Sequence, residues 1–531
     1  MPSCNGTDTG CNITRPERVL TSNAGAPLRE RLENLLWEGK QMAAIERLAG
    51  ASSAKGNRWK AIDWRAARNE VRRLQIRIAK AIRESRYGRV KALQWLLTRS
   101  FSGKALAVKR VVSNRGKRTP GLDGVIWSTP QQKMEAVHNL RRRGYRALPL
   151  RRTYVPKKNG KMRPLGIPTM HDRAMQALYA QALQPVAETL ADLNSYGFRW
   201  YRSCADAIQQ CFNSLVRRYS PRWILECDIK ACFDEISHKW LLEHIPMDCF
   251  MLRKWLKAGY FEGGTLYPTK AGTPQGGIIS PILANFTLDG LEAAVKAVTP
   301  RRTKVNVIRY ADDAVITGNS KELLEETILP AVVEFHRVRG LTLSPEKTRI
   351  TRIEDGFDFL GQNLRKYKGK LLIKPARSNV KAFLLKVKKT IRKFTAMKAG
   401  DMIRSLNPII RGWANYHRHI VASDTFNEVD NQIYCYLWDW MKKRHQDKGK
   451  MWLARKYWRN GPKAWTFSTV ERTPEGKRRV ELIRAASIGI ERHVKIRSEA
   501  NPFDPKDAKY FEKRVADRNR RRTGRAAKKA A

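Results

Sequence analysis

Residues 305–316 read Val-Asn-Val-Ile-Arg-Tyr-Ala-Asp-Asp-Ala-Val-Ile. Apolar β-branched residues flank a polar centre on both sides, the pattern of two short strands joined by a tight turn. Asp312 and Asp313 then sit together at the tip. Two adjacent carboxylates repel unless a cation lies beside them, and oxygen-only ligands favour Mg²⁺. A bare Asp-Asp pair is more often a solvated turn, so the reading needs a third carboxylate. Residues 223–236 supply it: Trp-Ile-Leu-Glu-Cys-Asp-Ile-Lys-Ala-Cys-Phe-Asp-Glu-Ile runs as an apolar strand into Asp228, followed by a helix start.

Between these two stretches lies Ala271-Gly272-Thr273-Pro274-Gln275-Gly276-Gly277-Ile278-Ile279-Ser280-Pro281-Ile282-Leu283-Ala284-Asn285. An apolar strand ending in Asp228, then Phe233-Asp234, then this segment, then Tyr-x-Asp-Asp with Asp312 84 residues after Asp228 (312 − 228), resembles the palm of reverse transcriptases. Residues 271–285 resemble the nucleotide-pocket motif of the group II intron proteins. The resemblance implies an α+β, right-hand polymerase fold. Its fingers and palm carry antiparallel sheet, with a helical N-terminal extension, a helical thumb or maturase domain, and a basic C-terminal region. It implies two Mg²⁺ ions bridged by Asp228 and Asp312, with Asp313 completing the shell and the Ile229 carbonyl adding a ligand. Phe233 falls where the family excludes a ribose 2′-hydroxyl, and a bulky ring there favours dNTP over rNTP on steric grounds. Gln275 and Gly276 would line the nucleotide and template pocket, where a missing side chain permits close approach. Asp234 and Glu235 read as helix N-terminal charges instead of ligands.

Residues 154–168 form a basic hairpin with Lys158-Asn159-Gly160-Lys161 at its turn. Its arms put Lys157 and Arg163 within reach of a triphosphate, one as a point charge and one as a fork. The resemblance assigns them that contact. It also makes Lys347, in Leu341-Thr342-Leu343-Ser344-Pro345-Glu346-Lys347, a proton donor to the leaving pyrophosphate; the plain alternative is a surface lysine. Gly356-Phe357-Asp358-Phe359-Leu360-Gly361 resembles the primer-grip hairpin. Tyr196-Gly197-Phe198-Arg199 resembles a family segment in which the usual His is here Cys204.

Lys and Arg number 104 against 49 Asp and Glu, a formal charge of +55 spread along the whole chain. A chain this basic needs a polyanion, and a large structured RNA is the natural partner. The eight cysteines contain no Cys-x-x-Cys, which disfavours a zinc site and suits a reduced, intracellular protein. With no signal-peptide core and no run of 18 apolar residues, neither secretion nor a membrane span is expected. The expected setting is cytoplasmic, as a nucleoid-associated bacterial ribonucleoprotein.

Along the chain, residues 1–25 read as disordered and 28–36 as a short helix. Residues 26–137 form the N-terminal extension, 138–365 the fingers and palm, 378–445 the thumb or maturase domain X, and 446–531 a basic region and tail. From 59 to 97 the pattern is helical, with Val71, Leu74, Ile78 and Ile82 on one stripe. Arg73, Arg77 and Lys80 share another face, read as facing RNA. Val380, Leu384, Val387, Ile391 and Phe394 step as an amphipathic helix, with Lys388, Lys389 and Arg392 beside the stripe as RNA contacts. Two more helical patterns follow, at 402–413 and 426–440, and Trp413 and Tyr416 read as core. From Lys513 on, nine Lys or Arg stand against one acid, Asp517, which predicts a tail disordered until it meets phosphate.

The resemblance spans about residues 59–510 and implies a reverse transcriptase and maturase that assists intron splicing and copies the intron by target-primed synthesis. Its partners would be group II intron RNA, target DNA and dNTPs, with the oligomeric state open and a homodimer on RNA among the options. Many relatives carry a C-terminal His-Asn-His endonuclease; after Cys435 this chain has no cysteine and only His445 and His493, so that domain is not expected. The competing readings are a splicing-only RNA-binding maturase, disfavoured by three intact aspartates, and a retron-like or other host-defence reverse transcriptase, disfavoured by residues 380–440.

Overall fold

The computed structural model describes residues 58–156, 160, 162–458, 466–474 and 476–530, with side chains to residue 520. The expected disordered start, the helix at 28–36, Lys157 and the tip of the basic hairpin at 158–159 lie outside the described residues. The chain divides into two compact units. One comprises residues 1–62 with 129–135. In its described part, Thr129 and Gln132 bond reciprocally (Gln132 N to Thr129 Oγ1 at 3.2 Å, Thr129 N to Gln132 Oε1 at 3.0 Å), a helix-starting box. The other unit, residues 63–128 and 136–531, holds everything that follows.

In that unit, α1 (Trp64–Arg83) begins where Asp63 accepts from the amides of Arg65 and Ala66. Val71, Ile78 and Ile82 are buried as their spacing predicts. The single helical run expected to residue 97 is broken: Ser85 takes a left-handed conformation (φ 54°), and α2 (Tyr87–Arg99) starts afresh. Ser100 then caps α3 (Phe101–Ser113). These helices pack on α4 (Met170–Leu190), which is buried nearly all round and runs past the expected end at 183.

The fingers hairpin is β1 (Leu150–Pro156) with β2 (Met162–Ile167), paired from Arg151 opposite Ile167 to Pro156 opposite Met162. The palm sheet takes β3 (Trp223–Asp228) at its centre. β4 (Tyr260–Glu262) and β5 (Thr265–Tyr267) extend the fingers sheet, in the order β2-β1-β4-β5. β6 (Asn306–Tyr310), β7 (Asp313–Gly318) and β8 (Arg349–Arg352) complete the palm in the order β6-β7-β3-β8, antiparallel throughout. Strand alternation splits the palm's side chains between two cores. Ile224, Ile308 and Val315 face the one that continues into the thumb; Leu225, Val307, Ala314 and Ile316 face the one closed by Leu324, Ile328, Val332 and Phe335. Both faces are covered, so the strands that carry Asp228 and Asp313 are anchored along their length.

β9 (Phe357–Phe359), β10 (Gln362–Tyr367) and β11 (Lys370–Pro375) form a three-stranded sheet, one strand more than the hairpin motif predicts. Three helices follow: α5 (Arg377–Lys393), α6 (Ala399–His417) and α7 (Ser423–Arg444). Phe426, Val429, Ile433, Leu437 and Trp440 are all buried, as their spacing predicts. Trp413 stacks on Phe383 with ring centroids 4.4 Å apart. Tyr416 corrects the expectation of a core residue: it is 37% exposed, and its hydroxyl donates to the Leu360 carbonyl at 2.8 Å.

The tail also departs from expectation. Residues 508–530 are helical, as α8 (Ala508–Ala530). The Ala, Lys and Arg that suggested disorder are good helix formers, and the first turns have something to hold. Phe511 packs on Tyr201 at 4.8 Å, and Arg514 reaches Asp206 at 3.2 Å and the Val494 carbonyl at 3.0 Å. The loop before it docks through Phe503, fully buried, with Arg72 of α1 lying over its ring at 5.1 Å.

Candidate active site

The turn between β6 and β7 has two residues, Ala311 and Asp312, because Tyr310 pairs directly with Asp313. Ala311 has φ 57°, the positive angle that the first central position of a tight hairpin demands. The turn is held from beneath. A Cβ on Gly197 would lie 2.2 Å from the Ala311 amide nitrogen, so only glycine permits this approach. Asn285 donates to the Gly197 carbonyl at 2.9 Å. Arg309, 2% exposed, pairs with Asp289 and donates to the Ala311 carbonyl at 3.2 Å.

The register does the rest. Asp228, the last residue of β3, is the cross-strand partner of Asp313, the first residue of β7. Directly opposed residues present side chains to the same face, so two carboxylates meet there with Asp312 on the adjoining turn. Lys347 is brought in by the chain crossing behind: Ser344 N donates to the Asp228 carbonyl at 2.8 Å, and Lys347 Nζ lies 2.5 Å from Asp228 Oδ2. Burial first, then the charges of Asp312 and Asp228, push the Asp313 carboxyl up to about 6, with Lys347 pulling the other way. Burial and the charge of Asp228 also raise Asp312, against the pull of Arg163 and Lys347.

Among the described residues no three His, Cys, Asp or Glu side chains converge as a ready-made metal cluster. Asp228 Oδ2 is paired with the Lys347 ammonium. The donor set nonetheless fits a hard divalent cation: three carboxylates, two of which, Asp313 and Asp312, are raised by burial and by neighbouring negative charge that a cation would relieve. The Ile229 backbone also fits. Its bridge to Leu343 is flanked by the bonds Lys230 N to Thr342 O and Ser344 N to Asp228 O. That is the wide pair of an antiparallel ladder, which leaves the Ile229 carbonyl out of the pairing.

Phe233 stands next to this cluster, half-buried and edge-to-face with Phe198 at 6.2 Å. Its carbonyl accepts from Thr273 N at 2.7 Å, which ties residues 271–285 to the helix after Asp228. Gln275 donates to Asp234 Oδ2 at 3.0 Å, a partner not expected for an aspartate read as a helix-end charge. Gly276 has φ 120°, and a Cβ there would lie 2.7 Å from the Gly166 carbonyl of β2. Gly166 N donates to the Gln275 carbonyl at 2.9 Å, so the fingers hairpin is stitched to this loop. Arg163, exposed on β2, is thereby close enough for its charge to act on Asp312.

Three family models match in sequence order: the N-terminal domain of reverse transcriptase at residues 59–140, reverse transcriptase (RNA-dependent DNA polymerase) at 155–364, and the group II intron maturase-specific domain at 380–458. The chain belongs to the group II intron reverse transcriptases and maturases. Protein YkfC of Escherichia coli is 32% identical over 308 residues, which are 49% of this reverse transcriptase and 79% of that protein. The group II intron-encoded protein LtrA of Lactococcus lactis is 27% identical over 459 residues, covering 68% and 76%. A telomerase structure from Candida albicans aligns over 58% of the chain and 61% of its own with a TM-score of 0.35 and 12% identity, too distant to add to these matches.

Within the reverse transcriptase, the residues read as RNA contacts lie on other elements than the three aspartates. Arg73 and Lys80 are exposed on α1, Lys80 with Glu84 at 3.9 Å, and Arg77 is half-exposed. On α5, Lys389 and Arg392 are exposed, while Lys388 lies over the Tyr436 ring at 5.1 Å. Sequence reading missed the turn's supports, Arg309, Asp289 and Asn285. One signal was present: Arg309 is a charge inside an otherwise apolar strand. It also missed what Cys204 does. Its thiol acts on the hydroxyls of both Tyr310 and Tyr416, beside the hairpin that carries the aspartates and beside the thumb.

Proposed function

We propose that this reverse transcriptase assists the splicing of a group II intron RNA and copies that RNA into DNA at a target site during intron mobility. The observation that carries the polymerase half is the Asp228–Asp313 register pair with Asp312 on the adjoining turn, facing Arg163 of the fingers. Asp228, Asp312, Asp313 and the Ile229 carbonyl would hold two Mg²⁺ ions. Bound there, the ions lower the cost of charge on the primer 3′-oxygen and the triphosphate. The chain's own groups do the remaining work. Arg163, with Lys157, grips the triphosphate. Phe233 closes the space beside the sugar, so a 2′-hydroxyl clashes. Gln275, held by Asp234, and Gly276, held against β2, form the wall on which base and template rest. Lys347, now paired with Asp228, would be the proton donor to the leaving pyrophosphate.

The maturase half rests on the helices from residue 377 to 444 and the basic faces at Arg73, Arg77, Lys80, Lys388, Lys389 and Arg392. These would bind intron RNA through phosphate, with strong salt dependence. Primer extension with dNTPs and Mg²⁺ on an RNA template tests the polymerase. A splicing assay with the same protein separates the roles: Asp312→Ala keeps splicing if RNA binding alone assists it. A splicing-only maturase would instead show no extension in the wild type.

A further inference from the structure

A cavity of about 650 Å³ lies between α2, α4 and residues 140–143 and 247–249. It shares no residue with the catalytic cluster. Its floor is apolar: Met175, Leu178, Ala182, Met247 and Leu140. Its rim is cationic, with Lys91, Arg99, Lys104, Arg141, Arg142 and Arg143 against one carboxylate, Asp248. That carboxylate is already committed to Arg142, with Nε to Oδ2 at 2.5 Å. Trp95, 48% exposed, stands at the mouth with Arg99 lying over its ring at 4.0 Å.

Tyr179 decides what such a cavity is for. It is 7% exposed, its ring is wedged edge-on against Trp255 at 5.5 Å, and its hydroxyl, on the cavity wall, makes no hydrogen bond among the described residues. The hydroxyl opens on the cavity instead of being sealed in protein, and a polar group beside an apolar floor fixes a ligand's orientation. The volume is of ligand size, the surround is cationic, and the entrance has a stacked aromatic and guanidinium. Phosphate outside, a flat apolar body inside and one hydrogen bond at depth describe a nucleotide. A base held in a duplex cannot enter; one splayed out of a loop or bulge can.

We propose that this cavity takes an unpaired nucleotide of the bound RNA, with the base against Met175, Leu178 and Ala182, an edge atom bonded to Tyr179, and the flanking phosphates on Arg99 and Arg143. The proposal rests on the reading that RNA is the partner and adds where one base of it is read.

The test uses the full chain and short oligouridylate carrying 4-thiouridine, the same strand with one abasic position, an RNA duplex, the matching DNA strand and a glutamate-rich peptide. Photocrosslinks are expected in residues 87–99 and 170–190. Tyr179→Phe removes only an unpaired hydroxyl, and should weaken the single strand about 5-fold, the scale of one hydrogen bond, while leaving the abasic strand unchanged. Arg99→Gln with Arg143→Gln should flatten the log–log salt dependence by about 0.7 per lost phosphate contact. Primer extension on a short template should stay at wild-type rate in every variant, so failure here is distinguishable from failure of the polymerase reading. Crosslinks confined to other segments would overturn the proposal. So would equal sensitivity of duplex and single strand to Tyr179→Phe, an equal effect on DNA, or displacement of RNA from this cavity by the acidic peptide.

Discussion

Around Glu188 each buried carboxylate lies against an arginine, and around Asp313 it does not. Glu188, with its side chain 4% exposed, lies 2.7 Å from Arg199 and 3.6 Å from Arg202. Arg199 also donates to the carbonyls of Asp192 and Ser195. Nearby, Asp289 is matched by Arg309. At the palm tip, among the described residues, three carboxylates have one ion-paired cation, Lys347 on Asp228, which is 64% exposed, with Arg163 acting on Asp312 from the fingers. The first arrangement pairs its carboxylates with arginines and positions backbone. The second leaves a surplus of negative charge where the register forces the groups together. Charge matched internally marks a brace; charge left over marks a place for a cationic ligand.

The largest effect separates the two by activity. Asp312→Ala or Asp313→Ala should cut primer extension by about 10³-fold or more, since losing a metal carboxylate removes several kcal/mol of transition-state stabilisation. The melting temperature should hold or rise, because like-charge crowding is relieved. A variant that extends primers normally would break the comparison on its functional side. Next in size, Arg309→Leu strands Asp289 without its partner and should cost roughly 3–5 kcal/mol in denaturant unfolding. If Arg309→Leu were as stable as the wild type, the matched network would not be the brace described here.

The pH dependence sharpens the contrast. Asp313 titrates at about 6 in the fold against 3.8 unfolded. A raised carboxyl costs nothing where both states are protonated, below about 4, and costs most where both are ionised, above about 6. Asp313→Asn should therefore be more stable than wild type at pH 7.5, with the difference vanishing toward pH 4. Mg²⁺ should narrow the same gap at neutral pH. Thermal melts of both proteins across that range, with and without Mg²⁺, read it directly; a gap independent of pH would contradict it. The background slopes the other way. His336, His417 and His419 are pushed down to about 4 by burial, so each contributes stability above 6.5 that is lost as pH falls toward 4. Comparing mutant with wild type cancels that term.

The smallest effect concerns the contact between hairpin and thumb. Tyr416→Phe removes the hydroxyl that joins Cys204 and the Leu360 carbonyl, at a cost of about 1 kcal/mol. It should raise the KM for primer–template more than it lowers kcat, because the bond fixes the thumb and carries no chemistry. A loss confined to kcat would place Tyr416 with the catalytic group instead.

Much of this was legible in the chain. Alternation in residues 223–228 and 305–316 defined the palm strands, because period-two burial leaves its mark locally. The four-three spacing at 426–440 defined a thumb helix for the same reason. The helix at 508–530 was not legible, since its composition suits disorder as well as helix. Phe511 and Arg514 decide the matter only by reaching Tyr201 and Asp206, about 300 residues earlier (511 − 201, 514 − 206).

By itself the sequence determined the three aspartates, their order and the strands that carry them, because local pattern and spacing encode those. Only the tertiary structure decided that Asp228 pairs with Asp313 and not with a neighbour, since a register shift of one residue would turn its carboxylate to the opposite face. It alone set Arg309 under the Ala311 turn, Cys204 between two tyrosines, and Tyr179 unpaired at a cavity wall. Each of these is a contact between segments far apart in the chain. Burial, charge crowding and an unmet hydrogen bond are properties of such contacts, and no stretch of residues carries them alone.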